Sequence, residues 1–97
     1  QPSAEVLPPN GVYAVRVKAQ GRTYNGVSNL GVRPTFADMA PDRALLETHL
    51  LDFDGDLYGQ TIEVVFLARL RDERAFTSPE ALTRQIADDV RQAARFF

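Results

Sequence analysis

The hydrophobic and polar positions of this chain change period once. Through the first two thirds they alternate in twos, and from residue 77 they recur in threes and fours. In "VYAVRVK", residues 12–18, Tyr13, Val15 and Val17 fall on one face while Arg16 and Lys18 fall on the other, which predicts a half-buried strand. "AQGR" reads as a tight connection into a second strand, "TYNGVSNLGV", residues 23–32, where Gly26 predicts a bulge or a close approach of another backbone. The third strand is "LLETHLLD", residues 45–52, with Leu46, Thr48 and Leu50 on one face and Glu47 and His49 on the other. "QTIEVVFLARL", residues 60–70, is a β-branched run with Ile62, Val64, Phe66, Ala68 and Leu70 on one face, and it predicts the fourth.

In "TSPEALTRQIADDVRQAARFF", residues 77–97, Leu82, Ile86, Val90, Ala93 and Phe97 are spaced by four, four, three and four, the stripe of one amphipathic helix. Ser78 before Pro79 supplies a cap and a preset first position, with Thr77 and Glu80 as an alternative capping box. Glu80 with Arg84, and Asp88 with Arg91, can pair on the wet face. Antiparallel strands followed by one helix point to a mainly β domain, a small barrel or curled sheet with a C-terminal helix against it.

Composition narrows the partners. The 97 residues, 44% hydrophobic and 25% charged, suit one folded domain. Basic and acidic residues are interleaved and sum to a net charge of -2, so no field of one sign invites nucleic acid or an anionic membrane. Absence of cysteine excludes disulfides and thiolate metal sites and fits a cytoplasmic setting. No apolar run approaches 18 residues and no signal segment opens the chain. The proline-rich lead-in, residues 1–11, must take its order from docking.

Candidate chemistry is sparse by pattern alone. Asp52, Asp54, Asp56 and Glu63 imitate the acid spacing of a calcium loop, but position six is Leu57 where glycine is needed, and both flanks read as strands. A solvated hairpin turn is the plainer reading. His49 is the only histidine and has no serine nucleophile motif to serve. Glu47, a carboxylate within an otherwise apolar strand, must face water, a partner or a ligand. Neither G-x-x-x-x-G-K-[ST] nor G-x-G-x-x-G occurs, which sets aside P-loop and Rossmann nucleotide sites. "RLRDERAF", residues 69–76, is a charged loop between two rigid elements, where a ligand lid could sit. In "GVRPTF", residues 31–36, Gly31 permits a bend or close approach, Pro34 stops the strand, and Arg33 and Thr35 are left at the rim.

Taken in order, "GVYAVRV", "GVSNLGVRPTF", "ETHLLDFDGDLYGQTIEVVFLARLRDERAF" and "SPEALTRQIADDVRQAARFF" resemble the riboflavin kinase domain, particularly the C-terminal module of bacterial bifunctional riboflavin kinase/FMN adenylyltransferase (FAD synthetase). The resemblance runs from about residue 7 to the end. It implies a six-stranded Greek-key barrel with one C-terminal helix, and transfer of the γ-phosphoryl of ATP to the ribityl 5′-hydroxyl of riboflavin, giving FMN. It also implies Mg2+ and ATP as cosubstrates and an N-terminal FMN adenylyltransferase domain in the parent chain. Glu47 matches the catalytic base; Leu70, Arg71 and Phe76 match the flavin side; Asn29, Arg33 and Thr35 match the nucleotide side. The family's G-F-P-T-A-N segment, which binds metal and phosphates, does not occur here. Residues 1–97 are therefore expected to be a partial kinase domain, lacking the first strand and the metal ligands. The alternative is a catalytically incomplete flavin-binding barrel used for ligand binding or interaction.

Overall fold

The computed structural model describes residues 7–33, 43–55 and 59–97. Four strands, β1 (Gly11–Ala19), β2 (Arg22–Arg33), β3 (Arg43–Leu50) and β4 (Ile62–Arg71), precede helix α1 (Pro79–Ala93) and a 3-10 turn, Ala94–Phe96. All four form one antiparallel sheet in the order β3-β2-β1-β4. This is Greek-key order, three strands joined in sequence and a fourth returning beside the first. Where the resemblance implies six strands, the described residues form four, with β3 and β4 at the edges.

Each connection has a local cause. Gln20 and Gly21 both take positive φ, 53° and 74°, as a two-residue hairpin with the right-handed twist of its strands requires. The acidic stretch around Asp52 and Asp54 is no hairpin, contrary to expectation. It leaves β3 at one edge of the sheet and leads to β4 at the other. Turn residues mark where a strand stops, and say nothing of which strand comes next in space. Asp52 and Asp54 are exposed, and Asp56 and Leu57 lie outside the described residues.

Side chains fill both faces of the sheet. On one face Tyr13, Val15, Val17 and Leu30 are buried with Leu46, Leu50, Val64 and Phe66 against them. Tyr13 meets Phe66 edge-on at 5.0 Å, and Ser28 hydrogen-bonds Thr48 at 2.6 Å. On the other face α1 lays Val90 and Ala93, and the residue after the 3-10 turn lays Phe97, onto Val12, Ala14 and Val27. Strand β1 is thus buried on both faces along most of its length, not half-buried as its alternation suggests. Short apolar residues at Val12 and Ala14 are what allow the helix to sit down.

Alternation in β4 also breaks. Register against β1 slips between Val12 and Tyr13 and again between Ala14 and Val15, so β4 carries two irregularities. Val64 and Phe66 keep the expected face and Leu67 the opposite one, whereas Leu70 turns toward the helix-side core. The two slips bring Arg71 into register opposite Val12, and because they cancel in parity it keeps the helix-side face that alternation gives it.

Ser78 is the N-cap: its Oγ accepts a hydrogen bond from the Ala81 amide at 3.1 Å, and Pro79 opens the helix. Arg91 and Asp88 pair at 3.1 Å on the surface. The described end of the lead-in is docked, with the Tyr13 hydroxyl donating to the Pro9 carbonyl and Arg69 donating to that of Asn10, and residues 1–6 lie outside the described residues. Arg69 also holds Asp72, and that hydrogen bond, ahead of other causes, raises the Arg69 pKa.

Gly26 proves to be a close approach within a regular ladder. A Cβ there would stand 2.9 Å from the His49 carbonyl oxygen of β3, with Val15 behind it. Gly26→Ala is expected to cost roughly 1–3 kcal/mol, the usual range for forced overpacking, because backbone and not a flexible side chain must yield. Urea unfolding checks this; an unchanged midpoint would show that β3 can move away freely.

Candidate functional site

Between the helix-side face of the sheet, the first half of α1 and the segment after β4 lies a cleft of about 310 Å³. Val12 and Val27 form its floor, and Leu82 and Ile86 form a wall on α1. Four side chains that the resemblance singled out or the sequence marked as exceptional meet here: Asn29, Glu47, Arg71 and Phe76. They come from β2, β3, β4 and the loop after it, so only the fold brings them together. Glu47 sits opposite Asn29 in the β2–β3 register and is exposed at the rim, with His49 two residues along the same face.

Arg71 is held in place. Its Nε and Nη2 donate to the two carboxylate oxygens of Asp89 at 2.8 Å each, a bidentate pair, and Nη1 donates to the Asp72 carbonyl at 2.9 Å. Asp89 is only 3% exposed and takes a further hydrogen bond at 3.0 Å from the Gln85 amide. The Gln85 oxygen in turn accepts from Arg74 at 2.9 Å. The Phe76 ring lies near both guanidinium groups, 5.9 Å from that of Arg71 and 5.1 Å from that of Arg74, both within cation–π range. The loop is therefore tied to α1 by a chain of charged and amide groups, and the Phe76 ring is kept at the cleft.

Asp89 and Gln85 were not anticipated. The signal existed: Asp89 falls three residues after Ile86 and four before Ala93, on the apolar stripe, where a carboxylate needs a buried partner. Its partner, 18 residues away, could not be read from the pattern.

Leu70 packs into the core beneath α1 and is not among the residues that line the cleft. Arg33 closes β2, its backbone in register with Arg43, and Thr35 lies outside the described residues. Gly31 answers for the opening glycine of its motif: the Glu73 carboxylate occupies the space a Cβ would need. That contact draws the loop toward β2 and leaves a second recess, about 350 Å³, lined by Asn29, Glu73, Arg74 and Ala75. A larger hollow of about 500 Å³ opens on the opposite face, among Val17, Leu46, Leu50, Phe53 and Ile62. Apart from His49 its described lining presents no acid–base group, so the chemistry points to the smaller cleft.

Among the described residues no group of three or more His, Asp or Glu side chains converges as a metal cage. No helix is long and apolar enough to cross a membrane.

Residues 1–97 match the family model described as Flavokinase: Riboflavin kinase. The chain is 41% identical over 92 residues to the bifunctional riboflavin kinase/FMN adenylyltransferase of Bacillus subtilis, covering 95% of this chain and 29% of that protein. It is 49% identical over 87 residues to that of Pseudomonas fluorescens (90% and 27%) and 46% identical over 94 residues to that of Escherichia coli K12 (96% and 29%). It thus spans less than a third of the length of the curated relatives it matches. The crystal structure of a macrolide-efflux protein from Streptococcus pneumoniae superposes with a TM-score of 0.85 at 32% identity, over 95% of this chain and 29% of that one.

Proposed function

The chain belongs to the riboflavin kinase family, and from that membership and the contents of the cleft we propose that it transfers the γ-phosphoryl of ATP to the 5′-hydroxyl of riboflavin, giving FMN. The observation that carries this reading is the meeting of Glu47, Asn29, Arg71 and Phe76, from four separate segments, in one cleft. Residues 1–97 act as the kinase module, in the cytoplasm, alongside an adenylyltransferase domain in a protein built like its relatives.

Phosphoryl transfer asks a protein for positioning and charge neutralisation more than for covalent chemistry. Glu47 accepts a hydrogen bond from the attacking hydroxyl and turns its lone pair toward the phosphorus. A carboxylate is a weak base toward an alcohol, so Glu47 takes the proton as the new O–P bond forms rather than beforehand. Phe76, backed by two guanidinium groups, offers its ring to the isoalloxazine, and the apolar floor excludes water beneath it. The N–H groups of Arg71 not spent on Asp89 and Asp72 are available to flavin oxygens. Arg33 and Thr35 are assigned to the nucleotide side, as the family resemblance implies. Mg2+ enters with ATP; the described residues do not fit as its cage, and its ligands are assigned to the family's P-T-A-N segment.

FMN formation from riboflavin and Mg-ATP by the full natural protein tests the reading directly; no FMN from a folded protein would overturn it. In the same protein Phe76→Ala is expected to weaken riboflavin binding roughly tenfold, the scale of one lost aromatic stacking contact. Quenching of flavin fluorescence measures this, and an unchanged affinity would move the ring away from Phe76.

A further inference from the structure

Among the described residues, the side-chain Oδ1 of Asn29 is a buried polar atom with no hydrogen-bond partner. Buried polar atoms are nearly always satisfied, and an exception at a cleft marks where a ligand group belongs. Asn29 lines both the cleft and the recess behind the loop, and it is the direct cross-strand neighbour of Glu47. Side chains so paired stand about 5 Å apart at Cβ and can reach adjacent atoms of one ligand.

The chemistry of the missing partner follows from the orphan's own. A carbonyl-type oxygen needs a donor. Ionised phosphate oxygens only accept, so the triphosphate cannot satisfy it, and neither can the carboxylate of Glu47. A hydroxyl can. Neighbouring hydroxyls of a polyol lie within hydrogen-bonding distance of one another, so a substrate whose terminal hydroxyl meets Glu47 carries its next one to Asn29.

We infer that Asn29 Oδ1 accepts a hydrogen bond from a second hydroxyl of the polyol chain of the acceptor, beside the hydroxyl served by Glu47. The inference rests on the kinase reading above and shifts Asn29 from the nucleotide to the acceptor substrate. Asn29 then helps select a flavin with a hydroxylated chain over one with a plain alkyl group, a role in specificity rather than in the chemical step.

The test compares riboflavin with lumiflavin, the same ring system carrying a methyl group in place of the ribityl chain. Both are titrated by fluorescence quenching into the full natural protein, unsubstituted and as Asn29→Leu and Asn29→Asp, alongside Mg-ADP. Asn29→Leu should weaken riboflavin about tenfold, the size of one neutral hydrogen bond, with lumiflavin and Mg-ADP unchanged. Asn29→Asp, of the same shape and still an acceptor, should hold riboflavin within about threefold of the original affinity. It keeps the test decisive if the leucine variant does not fold. Equal weakening of both flavins by leucine would overturn the inference, and so would weakening of Mg-ADP alone by either variant, which would return Asn29 to the phosphates or their metal. An unsubstituted protein that binds neither flavin would overturn the kinase reading, and this inference with it.

Discussion

Glu47→Gln is expected to lower FMN formation at saturating riboflavin and Mg-ATP by about 10²-fold or more, the loss usual for a positioned acid–base group. Glutamine keeps the shape and can still touch the hydroxyl, but its amide cannot take the proton as the phosphoryl bond forms. Stability should stay within about 0.5 kcal/mol of the original, since Glu47 is exposed on the edge strand β3 and surface substitutions of this kind rarely do more. Riboflavin affinity should move little. A fall in turnover with binding and the unfolding midpoint preserved places Glu47 at the reacting oxygen. Turnover within a few-fold of the original would remove it from that role, and the cleft would then be a binding site whose base lies elsewhere.

Arg71→Met, in contrast, is expected to act mainly on stability. Asp89 would remain buried beneath the sheet with the Gln85 amide still donating to it but no cation beside it, and an uncompensated buried charge costs about 3 kcal/mol or more. For a domain of this size that corresponds to a fall of roughly 12 to 24 °C in the melting temperature. The companion variant Arg71→Met/Asp89→Leu should recover most of the loss, because replacing both ions by apolar groups is often neutral. Riboflavin affinity should stay weakened in the double variant. Thermal unfolding beside flavin titration separates the two duties: full recovery of both would make the pair a purely structural clasp, and a single-variant loss below about 1 kcal/mol would show that water reaches Asp89.

How far the pattern reaches is best seen in particular residues. The face shared by Leu46, Thr48 and Leu50, and the opposite face with Glu47 and His49, were legible because a strand's period of two leaves no other choice. Ser78, Pro79 and the apolar stripe placed α1 for the equally local reason that capping and helical spacing are set by neighbours in the chain. Leu70 is the contrary case. Strict alternation puts Leu70 on the face of Phe66, but two irregularities against β1 turn it into the helix-side core, and they set Arg71 opposite Val12, within reach of Asp89. Such slips are decided by how two strands fit each other, and neither strand carries the information alone.

Local spacing along the chain was enough for the strands, the helix with its cap, and a family resemblance that points to Glu47, Arg71, Phe76 and Asn29. Tertiary structure alone decided the order β3-β2-β1-β4, the burial of β1 on both faces, the Asp89 clasp on Arg71, and the meeting of those residues in one cleft. The division follows from range. Periodicity and capping act within a few residues and are written in the chain's own spacing, whereas pairing, bulging and ion-pair choice depend on surfaces that exist only once distant segments have packed.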